Sequence, residues 1–354
     1  MTPLAKLLGQ QIAASGPMSL SEYMALCLMH PQHGYYSTRD PLGTAGDFTT
    51  APEISQMFGE LIGLSLAQSW IDQGSPTPFV LAELGPGRGT LMQDALRATR
   101  AVPGFHDALS LHLVEASPIL RAAQAQRLAA FAPQWHDTID SLPDAPLFLI
   151  ANEFFDALPI RQFCREGQGW REKVVGVQDG LLIPGLTDAA AQSALDDRLA
   201  DTHDGDIVET CAPACAIAGQ IGARIAQHGG AALIIDYGDW HSLGDTLQAL
   251  RQHLPVDPFA QPGEADLTAH VDFEALARAA APAAHSRLTP QGVFLERLGI
   301  TARAQALATG MGEAALSSHV AAHRRLTHPT EMGSLFKTLA LYPQGATPPP
   351  GLEP

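Results

Sequence analysis

Between Phe79 and Arg97 the chain passes from an apolar stretch, through three glycines at alternate positions, into a helix-forming segment. Phe79-Val-Leu-Ala-Glu83-Leu reads as a buried parallel strand, which is covered on both faces and needs no polar alternation. Thr90-Leu-Met-Gln-Asp-Ala-Leu-Arg97 reads as a helix, with Leu91, Ala95 and Leu96 available for its inner face. Gly85, Gly87 and Gly89 lie in the turn between them, where the lack of a Cβ permits positive φ and close approach of backbone to a ligand. An open α/β sheet places its ligands beyond the carboxyl ends of its strands, so the turn marks one edge of a crevice.

The spacing within the turn selects among ligands. A dinucleotide fingerprint requires G-x-G-x-x-G, and Thr90 holds the sixth position. The pattern Glu83-x-Gly85-x-Gly87-x-Gly89 resembles instead the first motif of class I methyltransferases, which bind S-adenosyl-L-methionine.

The rest of the chain supports an α/β reading. Strands are expected at 79–84, 109–115, 134–137, 146–151 and 231–236, with helices near 90–100, 117–131 and 212–228. This alternation predicts a mostly parallel sheet with helices on both faces. The segments 285–290 and 335–341 are expected to complete the sheet as an antiparallel pair, after a helix over 272–281. Residues 1–75 read as an N-terminal helical region. It holds Leu4–Ala14, Ser19–Met29 capped by Ser19 or Ser21, and Ile54–Ile71 entered through Thr50 and Pro52. Residues 76–345 read as the catalytic domain, with insertions near 160–210 and 237–270. The first insertion carries a hairpin signal at Asp179-Gly180; the second is polar and reads as a lid. The Pro-rich tail after Tyr342 is expected to fray.

Composition narrows the functional class. The formal charge of −16 over 354 residues disfavours nucleic acid, whose binding draws on clustered Lys and Arg. No apolar run approaches a membrane span, so no membrane insertion is expected. The N-terminus shows neither a long apolar core nor an Arg-rich transit pattern, and the expected location is cytoplasmic. Four scattered cysteines, Cys27, Cys164, Cys211 and Cys215, form no disulfide framework and read as structural thiols. No metal requirement is expected. A homodimer is an arrangement the sequence leaves open.

Two further strand ends carry chemistry. Leu111-His-Leu-Val-Glu115 places an acid about 30 residues past the first glycine, suited to accept both hydroxyls of a ribose. Leu147-Phe-Leu-Ile-Ala releases Asn152, Glu153 and Asp156, interleaved with Phe154 and Phe155. Asn152 with Phe155 is a loose echo of the Asn-Pro-Pro-aromatic motif of amino-methyltransferases. The two carboxylates suit a guanidinium better, because arginine presents five donors in a rigid fork that a carboxylate accepts bidentately. Asp137, after the third strand, is a candidate for the adenine amino group, with Asp140 beside it.

The segments Gly46-Asp-Phe-Thr-Thr-Ala-Pro-Glu-Ile-Ser, Glu83-Leu-Gly-Pro-Gly-Arg-Gly-Thr-Leu, Glu115-Ala-Ser-Pro, Asn152-Glu-Phe-Phe-Asp-Ala-Leu-Pro, Ile235-Asp-Tyr-Gly and Gly263-Glu-Ala-Asp-Leu-Thr-Ala-His resemble the MidA-type methyltransferases in the same order. That family includes the mitochondrial complex I assembly factor 7. The resemblance implies a class I methyltransferase fold and S-adenosyl-L-methionine as cofactor. It also implies a protein substrate, with symmetric dimethylation of an arginine in a complex I core subunit as the activity to expect. Glu83, Gly85, Gly87, Gly89, Glu115 and Thr50 lie in these segments and are the cofactor candidates, with Asp137 added from its place after the third strand; Asn152, Glu153 and Asp156 are the catalytic candidates. Asp47, Phe48, Thr50 and Glu53 are candidates to close over the cofactor's methionine end. Asp236, Tyr237, Asp266, Thr268 and His270 are candidates for the substrate side. Methylation of an amide or of adenine, and a cofactor-binding assembly chaperone, are the alternatives.

Overall fold

The computed structural model describes residues 1–39 and 50–354. Its centre is a twisted sheet whose main strands are β1 (Phe79–Leu84), β2 (Leu109–Val114), the short β3 (Gln134–His136), β4 (Leu147–Asn152), β5 (Gly230–Asp239) and β6 (Phe336–Tyr342). They lie in the order β3-β2-β1-β4-β5-β6. The first five run parallel, and β6 runs antiparallel to β5, from Ala232↔Leu341 to Tyr237↔Phe336. Two-residue strands at Ala284–His285 and Thr289–Pro290 pair antiparallel with β6, where the sequence suggests one continuous strand.

Every residue of β1 and β4 is buried, which is why neither alternates in polarity. Their side chains point alternately into two cores. Phe79, Leu81, Phe148 and Ile150 meet one core with helices α3 (Gln56–Asp72) and α4 (Thr90–Thr99). Val80, Ala82, Leu149 and Ala151 meet the other, with Ile221 and Ile225 of the helix Ala212–His228. Each such large side chain, fully buried, contributes about 1.5–3 kcal/mol.

Helix α3 holds α4 at close range through Gly63: a Cβ there would stand 2.6 Å from the Cα of Ala95. That contact fixes the helix that follows the glycine turn. The helix begins at Gln56, later than the sequence suggests, because Ser55 takes the cap by accepting Met57 N–H at 3.3 Å. Thr50 instead precedes a separate turn, Ala51–Ile54, and makes no side-chain cap bond.

Helices α1 (Pro3–Ser15) and α2 (Leu20–Met29) pack away from this sheet. Ser19 caps α2 in a reciprocal capping box with Glu22, and Met18–Ser19 pairs with Val174 and Val175. Those residues belong to the hairpin Gly169–Gln178/Leu181–Leu186, which turns through Asp179 and Gly180 at φ +51° and +77°. Leu4, Leu8 and Met24 share a core with Ile160, Val175, Ala265 and Leu267. The segment 237–270, expected as a polar loop, is more ordered than that: Gln248–Arg251, Leu254–Val256 and Asp266–Thr268 form a three-stranded antiparallel sheet. The tail does not fray. Leu352 enters the core, Arg287 N–H donates to Glu353 C=O at 2.8 Å, and Ser65 Oγ donates to Pro350 C=O at 3.0 Å. No helix among the described residues is long and apolar enough to cross a membrane.

Candidate active site

The parallel register brings three strand ends level. Leu84 pairs with Val114 on one side and Ala151 on the other, and Asn152 pairs with Ile235. The chain therefore leaves the sheet at Gly85, Glu115 and Glu153 along one line. A cavity of about 770 Å³ opens above that line. Glu83, Gly85, Gly87, Glu115, Thr50, Asn152, Glu153 and Asp156 all border it. So do Glu53, Tyr237, Asp266, Thr268 and His270. Asp47 and Phe48 lie outside the described residues.

On the β1–β2 side the backbone makes the cradle. Gly85, Gly87 and Gly89 take φ of +58°, +54° and +77°, the left-handed region that favours glycine. A Cβ on Gly85 would stand 2.9 Å from Cδ2 of Phe154. Gly89 serves the turn from behind: it precedes α4 in left-handed conformation and does not border the cavity. Glu83 is 3 % exposed, and its Oε2 finds no hydrogen-bond partner among the described residues. Burial first, and then the nearby Glu115, push its pKa up to about 8. Glu115 Oε1 accepts Ser117 N–H at 2.8 Å and Oε2 accepts Gln124 Nε2–H at 3.2 Å. Gln124 also donates to Gly87 C=O at 2.6 Å and accepts Trp135 Nε1–H at 2.8 Å. Thus one glutamine locks the glycine turn to the strand-end acid. Nothing in the local sequence singles it out.

Asp137 does not join this group. Its carboxylate is 88 % exposed and pairs with Arg121 at 2.6 Å. Arg121 in turn donates to the carbonyls of Glu115 and His136. The acid follows the short β3 and pairs with the arginine that fastens two strand ends; it faces solvent and does not border the cavity.

On the β4–β5 side the site is a cluster of acids. Glu153 adopts φ +50°, a strained conformation for a residue with a side chain. Its N–H donates to Ile235 C=O at 2.9 Å. Its Oε1 accepts Ala51 N–H and Asn152 Nδ2–H, both at 3.2 Å. Burial, then the charge of Asp156, raise the Glu153 pKa to about 7. Burial raises Asp156 to about 6, against the opposing hydrogen bond from Tyr237. Behind them Asp236 is fully buried. Its Oδ2 accepts Phe155 N–H at 3.0 Å and Asp156 N–H at 3.2 Å, and Oδ1 accepts Tyr237 N–H at 2.9 Å. Burial, with Asp156 and Glu153 nearby, drives its pKa well upward. Asp236 thus shapes the loop that carries Asp156 and does not itself border the cavity. Tyr36, unremarked in the sequence, also borders the cavity, and burial raises its hydroxyl pKa. His270 packs edge-on against Tyr237, and burial lowers its pKa. Two acceptors in this wall, Asn152 Oδ1 and Asp156 Oδ1, have no partner among the described residues.

Comparison with known proteins gives the fold and site a family. Residues 61–292 match the family model for S-adenosyl-L-methionine-dependent methyltransferases. The chain is 36% identical to a Drosophila melanogaster protein named protein arginine methyltransferase NDUFAF7 homolog, mitochondrial, over 96% of this chain and 85% of that one. It is 37% identical to the human protein arginine methyltransferase NDUFAF7, mitochondrial, over 97% and 84%. A Burkholderia thailandensis protein solved with S-adenosyl-homocysteine bound superposes with a TM-score of 0.83, at 31% identity, covering 98% of this chain and 93% of its own. The expectation of a cytoplasmic location is overturned by these relatives, which are named as mitochondrial. The orphaned Glu83 oxygen and the glycine cradle fit the cofactor of that family. The chain belongs to the S-adenosyl-L-methionine-dependent methyltransferases and is an enzyme of that class.

Proposed function

We propose that the cavity holds S-adenosyl-L-methionine along the ends of β1 and β2 and a protein arginine beside the end of β4. On the cofactor side, Glu115 accepts the ribose hydroxyls, Gly85 and Gly87 let the backbone approach, and Glu83 offers its unpaired oxygen to a cationic group. Thr50 closes the methionine end. When bound, the cofactor supplies a methyl group on a positively charged sulfur. Glu153 and Asp156 hold the guanidinium, neutralise its charge and align one nitrogen, which is positioning catalysis. Glu153, with its proton affinity raised to about 7, takes the proton that the methylated nitrogen releases.

The observation that carries this reading is the pair of unpartnered acceptors, Asn152 Oδ1 and Asp156 Oδ1, in one wall beside Glu153. A guanidinium has donors only, so it fits a wall of acceptors without leaving a group unpaired. The names of the relatives, arginine methyltransferases, support the same class. A complex I core subunit is the proposed substrate and symmetric dimethylation the proposed product, in keeping with the family resemblance.

Methyl-proteomics of wild-type and deletion strains tests it, starting from that subunit. An arginine that loses two methyls, one per terminal nitrogen, in the deletion strain is the expected result. A methylated amide in its place would overturn the arginine assignment. Rescue of the deletion strain by an Asp156→Asn chain would show that holding a partner, and not methyl transfer, is the main role.

A further inference from the structure

Two arginines, Arg88 and Arg325, line this cavity beside its six acids. Arg88 belongs to the glycine turn and is already engaged. Arg325 lies in the last turn of the helix Glu313–Thr327. Among the described residues no hydrogen bond or ion pair holds its side chain, although its neighbour Arg324 pairs with Glu331 at 3.0 Å. Arg325 is solvent-exposed at the cavity rim, so its guanidinium is free to exchange water for an anion that arrives with a ligand.

The position of Arg325 indicates which anion. Its helix packs against the turn Ala51–Ile54, whose first N–H donates to Glu153 Oε1. Its positive charge reaches Glu153 and opposes the rise in that group's pKa. Arg325 therefore stands on the β4 side of the glycine turn, across β1 from the ribose acid Glu115. A ligand whose ribose rests at Glu115 and whose chain crosses the glycine turn presents its far end there. For S-adenosyl-L-methionine that far end is an amino acid, with an ammonium and a carboxylate. The ammonium has acids to meet; for the carboxylate, Arg325 is the lining arginine that no other side chain engages among the described residues.

We propose that Arg325 binds the α-carboxylate of the cofactor, and so selects ligands that carry an intact amino-acid end. The proposal rests on the cofactor placement given above. It also explains how a helix outside the central sheet completes the cofactor site.

Binding of two ligands to the full chain tests it: S-adenosyl-L-methionine and its decarboxylated form, which lacks only the carboxylate. Loss of a charged hydrogen bond should weaken the first in Arg325→Ala by roughly ten- to a hundredfold. The affinity for the decarboxylated ligand should be unchanged in that variant, and Arg325→Lys should recover part of the loss. Unchanged affinity for S-adenosyl-L-methionine in Arg325→Ala would overturn the proposal. An equal loss for both ligands would also overturn it, since it would mark Arg325 as a structural support. Wild-type protein that bound neither ligand would overturn the cofactor placement itself.

Discussion

Beyond β1 and β2 the cavity is bordered by one continuous turn and the strand-end acid Glu115, whereas beyond β4 and β5 its wall is gathered from Tyr36, Asn152, Glu153, Phe154, Asp156, Tyr237, Asp266, Thr268 and His270. The first wall is mostly backbone. Its glycines set the shape through φ, and Gln124 ties Gly87 to Glu115 with two hydrogen bonds. The second wall is mostly side-chain charge. Glu153, Asp156 and Asp236 crowd together, each carrying a pKa raised by burial. A backbone cradle tolerates many ligands with one shape. A crowded set of acids costs stability unless a cation arrives, so it speaks for a specific acceptor. The comparison predicts that damage to the two walls will separate binding from transfer.

The largest effect is expected at the acid wall. Asp156→Asn and Glu153→Gln should each lower methyl transfer by about 10²–10³-fold, the range found when one electrostatic contact to a transition state is removed. Affinity for S-adenosyl-homocysteine should stay within a few-fold of wild type, as measured by calorimetry. Turnover that survived both changes would reject the acid wall as the acceptor site.

The same wall sets the pH response. Glu153 and Asp156 must be ionised to hold a guanidinium, and their pKa values stand at about 7 and about 6. The rate at low substrate should therefore fall as pH drops through this window, by about tenfold per unit once a single group limits it. A flat profile between pH 5.5 and 8 would remove both carboxylates from the mechanism.

The backbone wall should respond in binding. Gly85 sits at φ +58°, with Phe154 close to where a Cβ would fall. In Gly85→Val the branched side chain meets both obstacles, a strain of about 1–3 kcal/mol. Affinity for S-adenosyl-homocysteine should drop tenfold or more, and the residual bound fraction should still transfer methyl. Unimpaired affinity would show that the glycine serves the turn alone.

The two walls also differ in how far the sequence exposes them. The glycine turn, Glu83 and Glu115 are legible because strand, turn and helix follow one another, and local geometry decides their use. The mostly parallel sheet is legible from the alternation of strands and helices, down to the antiparallel last strand, but the order of its strands is not. Asp137 misleads because the sequence marks it as a strand-end acid but does not reveal Arg121, which draws it outward. Gln124, Tyr36 and Arg325 escape notice because each reaches the site from a separate segment, on residue types common on any surface. The three helices between Gln291 and Thr327 carry no motif, yet one of them brings Arg325 to the cavity. Likewise the polarity of residues 237–270 suggests a loose lid, because a three-residue strand is too short to show alternation.

The smallest predicted effect opposes stability to function at Glu83. Its carboxyl has an ordinary pKa of 4.5 in an unfolded chain and about 8 when buried here. The folded state thus binds the proton more tightly, so its stability is greatest below pH 4.5 and declines as pH rises through 8. Glu153 and Asp156, also raised, add to the decline over its lower part. Glu83→Gln keeps the shape and removes the charge. In the ligand-free protein it should raise the melting temperature by a few degrees at pH 8 and by progressively less as pH approaches 4.5. The same change should weaken S-adenosyl-L-methionine, because the ionised oxygen offered to its cationic end is gone. Thermal unfolding across that pH range, with and without ligand, checks both halves. A variant less stable than wild type at pH 8 would mean that Glu83 is held by partners that satisfy its charge, and that it is a structural acid in place of a waiting one.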